Sequence, residues 1–82
     1  MKTLFYFSAP WCTPCQTLGP IMDQVSTMGI PVEKINVDYE TDRTVSANVT
    51  SVPTVVLAQN GVEIKRFTGA KSLQQVLDFY NN

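Results

Sequence analysis

The chain has 82 residues, 44% of them hydrophobic, with six basic and seven acidic side chains, a net charge of −1 and no histidine. That is the size of one small domain with a packable core, and it leaves no room for a second. The charge is balanced and dispersed, which argues against the basic stripe of a nucleic-acid binder and the polybasic patch of a membrane anchor, and no apolar run approaches the ~18 residues that span a bilayer.

Residues 3–8 are dense in aromatic and aliphatic side chains and read as a short strand buried on both faces. Lys2 followed by Thr3-Leu4-Phe5-Tyr6-Phe7 loosely resembles a secretory signal. The run is shorter than an h-region and no A-x-A site follows, so it is expected to belong to a mature protein kept in the cytoplasm. Next comes "SAPWCTPCQ", which holds the only two cysteines, Cys12 and Cys15. From Cys12 the period becomes helical, with Leu18, Ile21, Met22, Val25 and Met28 on one face. Pro14 falls in the first turn, where its missing N–H costs nothing; Pro20 should kink the helix, and Gly29 and Pro31 end it.

Residues 32–37 alternate as a strand, and residues 40–48 form a short helix with Asp38 or Thr41 as its cap. In "PTVVLAQNGVEIKRFTG" two β-rich runs flank Asn60-Gly61, a type I′ hairpin turn. Ser72 and Gln75 make a capping box for a last helix with Leu73, Val76, Leu77 and Tyr80 on its apolar face. The order is β-α-β-α-β-β-α. The first βαβ unit gives two parallel strands with a right-handed crossover, the hairpin adds an antiparallel pair, and three helices cover the sheet of an α/β sandwich. Both cysteines fall where the first strand meets the first helix, the place where open α/β sheets put their sites.

Two cysteines at this spacing are half a metal site, a small staple or a reactive dithiol. Tetrahedral zinc needs about four ligands, and here a site closes only across a dimer or with an outside thiol. A staple closing so small a loop removes little entropy from the unfolded chain. A cysteine in the first helical turn, by contrast, faces unpaired N–H groups and the positive end of the helix dipole, and C-x-x-C thiols in this setting have pKa values brought toward neutrality. Cys12 is then the nucleophile. Cys15, one turn further in and expected to be more buried, is the resolving thiol, and Pro14 stiffens the loop between them.

"APWCTPC" resembles the active-site signature of the thioredoxin family, whose usual form is W-C-G-P-C. "KINVDYE", "TSVPTVVLAQNG" and "FTGA" resemble, in order, the following strand, the cis-proline segment with its hairpin, and the loop before the last helix, so the resemblance covers nearly the whole chain. It implies a thioredoxin-like fold with a four-stranded mixed sheet in the order 2-1-3-4, trimmed of the strand and helix with which thioredoxins usually begin. Residues 32–37 would then lie at the sheet edge, where Glu33 and Lys34 discourage pairing, with an edge-to-edge dimer left open. The resemblance also implies that Pro53 is cis and opposite Cys12. Val52 would offer its backbone to a substrate strand, and Trp11, Ser51, Val52, Gly69 and Ala70 would form the rim.

Three departures from the family pattern stand out. Besides the missing first elements, Tyr6 occupies the place of a buried aspartate that relays the proton of the resolving cysteine, and a phenol is a poor base at neutral pH. Water, or a carboxylate such as Asp38, is expected to take that proton instead. Lys34 matches the lysine that accompanies the aspartate, and reads equally as active-site support or as a solvated strand residue. Thr13 replaces the usual glycine, either tuning the couple or merely starting the helix.

The leading reading is a monomeric cytoplasmic thiol–disulfide oxidoreductase. It reduces disulfide-containing target proteins, takes electrons from a thioredoxin reductase, and needs no cofactor beyond the Cys12–Cys15 disulfide. A glutaredoxin-like protein is the nearest rival, yet Thr68-Gly69-Ala70-Lys71-Ser72 has one glycine and no acid with which to hold glutathione. Two rivals of a different class are a thioredoxin-like binding module with secondary redox chemistry and a dimeric iron–sulfur or zinc carrier.

Overall fold

The computed structural model describes residues 1–82. Its elements are β1 (Lys2–Ser8), α1 (Thr13–Thr27), β2 (Val32–Asn36), α2 (Thr41–Ser46), β3 (Thr54–Gln59), β4 (Val62–Thr68) and α3 (Leu73–Asn81). The sheet order is β2-β1-β3-β4, as the resemblance implies. Strand β1 runs parallel to β2 and antiparallel to β3, so Tyr6 stands beside Lys34 on one side and Val55 on the other.

Alternation along β1 divides the core in two. Leu4 and Tyr6 join Val55, Leu57 and Phe67 under α1 and α3, which contribute Leu18, Met22, Val25 and Val76. Phe7 points the other way and packs with Ile35, Val49 and Val56, with Phe5 and Ala47 at the margin. Both faces of β1 are therefore apolar. That is why its sequence reads as a continuous hydrophobic run.

The helices do not cover the two faces equally. Helix α2 has six residues and buries none of them. It leaves an open cleft of about 440 Å³, floored by Phe5, Phe7 and Val56, with Arg43 at its side. Neither expected cap of α2 is realised. Glu40 holds the N-cap position without a side-chain bond, and Thr41 is already the first helical residue. The Asp38 carboxylate is engaged elsewhere, and Asn36 turns the chain by accepting from the N–H groups of Asp38, Tyr39 and Glu40.

The hairpin and last helix form as expected. Asn60 and Gly61 have φ values of 54° and 84°, the left-handed pair that joins twisted strands without splaying them. Ser72 and Gln75 exchange both bonds of a capping box at the start of α3. At the β2 edge Glu33 pairs with Arg43 and Lys34 with Asp23, so charged side chains flank the unpaired backbone.

Candidate active site

The loop from β1 to α1 carries Trp11 and Cys12 to one end of the sheet. Cys12 is the N-cap of α1, extended at φ −89° and ψ 111°, and its sulfur takes the place usually held by a serine or aspartate oxygen. The Cys15 backbone N–H donates to Cys12 Sγ at 3.3 Å. A helix-start N–H thus points at the Cys12 sulfur, where it would favour negative charge, and the helix dipole acts in the same sense.

Cys12 and Cys15 are joined in a disulfide, with their Cα atoms 5.2 Å apart. They are 4% and 6% exposed, so the expectation that Cys15 is the more buried does not hold in this form. The bond draws both sulfurs into one small apolar cluster with Ala9, against Val37 and Val52. Thr13 and Pro14 are exposed at the start of α1.

Trp11, which is 67% exposed, borders a groove of about 140 Å³ together with Val37, Ser51 and Val52. Its indole N–H donates to Asp38 at 3.0 Å. The Val52–Pro53 peptide is cis. Around it, the Thr54 hydroxyl donates to the Ser51 carbonyl at 2.8 Å and the Gly69 N–H to the Pro53 carbonyl at 3.0 Å. Gly69 has a φ of 85°, a backbone state that strains any L side chain. Val52 takes part in none of the backbone hydrogen bonds outside the helices and strands, which leaves its N–H and C=O free. Ala70, next to Gly69, is exposed.

Lys34 lies away from this groove. It lines a separate open cleft of about 310 Å³ with Tyr6, Asn36 and Cys15, and pairs with Asp23 of α1. Sequence reasoning missed this partner. Its signal was available: Asp23 is the one acidic residue of α1, the helix that crosses from β1 to β2. Tyr6 is 2% exposed, and its hydroxyl donates to the Cys15 carbonyl at 3.1 Å. Burial pushes the Tyr6 phenol above its ordinary value, the Ser8 hydroxyl opposes the rise, and the Asp23 charge adds to it. Such a phenol stays protonated at neutral pH and does not serve as a base there.

No group of three or more His, Cys, Asp or Glu residues is placed to hold a metal ion. No helix is long and apolar enough to cross a membrane.

The family model described as thioredoxin matches residues 1–82. The chain belongs to the thioredoxin family. It is 37% identical over 78 residues to a thioredoxin of Mycoplasma genitalium, a match covering 93% of this chain and 76% of that one. A thioredoxin of Mycobacterium bovis is 32% identical over 74 residues, covering 87% of this chain but only 64% of the relative. Among solved structures, a mutant thioredoxin from Halobacterium salinarum superposes with a TM-score of 0.92 at 30% identity, over 98% of this chain and 72% of that one. A thioredoxin of Fasciola hepatica gives 0.90 at 26%, over 98% and 78%. Family membership together with the bonded Cys12–Cys15 pair makes the domain a thiol–disulfide oxidoreductase.

Proposed function

We propose that the domain reduces disulfides of target proteins by dithiol exchange, with Cys12 as nucleophile and Cys15 as resolving thiol. The observation that carries this reading is the N–H donated from Cys15 to Cys12 Sγ, beside a groove whose Val52 backbone is free. An extended segment of the target pairs with Val52 in the manner of an added strand. Trp11, Ser51, Gly69 and Ala70 form the rim against which it lies, and the buried Pro53 ring supports that rim from beneath.

The Cys12 thiolate attacks one sulfur of the target disulfide. A Cys12–target bond forms, the target bond breaks, and the released target thiolate takes a proton from solvent. Cys15 then loses its proton to water in the open cleft that it lines with Tyr6 and Asn36. Its thiolate attacks Cys12 Sγ, the mixed disulfide breaks, and the second target thiolate leaves. Two electrons pass to the target and Cys12–Cys15 is oxidised. A thioredoxin reductase returns it to the dithiol, with no cofactor in this chain beyond the disulfide.

Thr13 and Pro14 hold the two cysteines in the first turn, and Lys34 supports the Cys15 side through its pair with Asp23. The charged β2 edge favours a monomer, and the cytoplasm is the compartment in which such a dithiol is kept reduced. The test supplies a protein disulfide and either NADPH with thioredoxin reductase or reduced glutathione. Faster turnover with the reductase supports the reading. Turnover with glutathione alone contradicts it.

A further inference from the structure

We propose that Tyr6 is a positioning residue for the dithiol couple: its hydroxyl holds the first turn of α1, and with it Cys15, against strand β1. The inference rests on the dithiol reading above and adds to it a residue that never touches substrate.

Three observations converge on this role. First, the Tyr6 hydroxyl donates to the Cys15 carbonyl at 3.1 Å inside the core. It is a direct polar tie between the sheet and the backbone of the resolving residue. Second, Pro20 lies inside α1 and has no N–H, so the Gln16 carbonyl lacks its helical partner. The ladder joining the first turn to the rest of the helix is therefore short of a rung, one residue after the point where Tyr6 takes hold. Third, the helix passes close above the phenol: a Cβ on Gly19 would lie 3.8 Å from the Tyr6 oxygen.

Strand β1 cannot shift to accommodate a loose turn, because it is paired on both sides. The hydroxyl thus fixes Cys15 relative to a rigid frame. Holding two reacting groups in place raises their effective concentration toward each other, which favours the closed disulfide over the open dithiol. Were the hydroxyl merely stabilising, its loss would cost both redox forms equally and leave their ratio unchanged. The groups facing the phenol are Ser8 of β1, Lys34 of β2 and Asp23 of α1, and the last two are already paired with each other.

The test is the equilibrium of the Cys12–Cys15 couple with glutathione in wild type, Tyr6→Phe and Tyr6→Phe/Pro20→Ala, with folding of each checked by circular dichroism. Tyr6→Phe is expected to lower the equilibrium constant for disulfide formation about threefold to tenfold, the range of one ordinary hydrogen bond. A tenfold fall corresponds to a potential about 30 mV less negative. Pro20 is exposed, and alanine there restores the Gln16 rung, so the double variant should move back toward wild type. A folded Tyr6→Phe protein with an unchanged equilibrium overturns the proposal, as does a double variant that shows no recovery. If wild type shows no reversible Cys12–Cys15 couple with either glutathione or dithiothreitol, the dithiol reading itself falls and this inference falls with it.

Discussion

The indole N–H of Trp11 donates to the Asp38 carboxylate at 3.0 Å, joining two residues 27 positions apart across the mouth of the groove. Asp38 is itself fixed, since its backbone N–H donates to Asn36 Oδ1 at 2.9 Å. A largely exposed aromatic ring is thereby held at the groove instead of swinging in solvent.

Asp38→Ala releases that ring. One hydrogen bond is worth about 0.5–1.5 kcal/mol, so KM for a protein disulfide should rise about threefold to tenfold with kcat little changed. Trp11 is the only tryptophan, so its fluorescence anisotropy reports the loosening directly and should fall.

The two thiols of the reduced protein should differ in reactivity. The helix-start N–H favours charge on Cys12, whereas no hydrogen bond is donated to Cys15 Sγ. Alkylation at neutral pH, followed by mass analysis of the fragments, is expected to mark Cys12 at least about tenfold faster. Equal labelling would show that the cap bond does not polarise the pair.

Tyr6 has two pH signatures. Because the phenol stays protonated through the neutral range, Tyr6→Phe should leave the pH profile of disulfide reduction in place even as it changes the redox equilibrium. In unfolding, the folded phenol titrates above the unfolded one, so its contribution is full below pH ~10 and is lost as pH rises through the raised folded value. Wild type should therefore lose stability above pH ~10 more steeply than Tyr6→Phe, as read by urea unfolding.

Arg66 links β4 to the end of α2. It donates to the Ala47 carbonyl at 2.7 Å and the Asn48 carbonyl at 3.3 Å, and pairs with Glu63 at 2.6 Å. That bond holds the Glu63 carboxyl below its ordinary range, with desolvation opposing and the Arg66 charge assisting. The folded value is the lower one, so the contribution is present above the unfolded value of about 4.3 and disappears as pH falls through the folded value. Both side chains are partly exposed, which limits the pair to about 0.2–1 kcal/mol. Glu63→Gln should flatten the acid limb of the stability curve by that much. Arg66→Ala should cost more, about 1–2 kcal/mol, because two carbonyls also lose their donor.

Much of this was legible from local chemistry. The Asn60-Gly61 turn and the Ser72–Gln75 capping box are decided by a few neighbouring residues, and both appear as expected. The double-sided burial of β1 follows from its unbroken apolar run. What stayed hidden depends on side chains meeting across the fold. The Trp11 indole competes for Asp38 and removes it as a helix cap, and only the third dimension brings those two together. Asp23 meets Lys34 for the same reason. The equal burial of the cysteines reflects the bond between them, a state of oxidation and not of sequence.

The division of labour between Cys12 and Cys15 is tested most directly by trapping. Cys15→Ser and Cys12→Ser variants are reduced, mixed with a disulfide-containing protein, and separated under denaturing conditions without reductant. Cys15→Ser should accumulate a covalent adduct at Cys12 that dithiothreitol releases, and Cys12→Ser should form little or none. An adduct that accumulates on Cys15 in the Cys12→Ser variant, with none on Cys12 in its counterpart, would contradict the assignment.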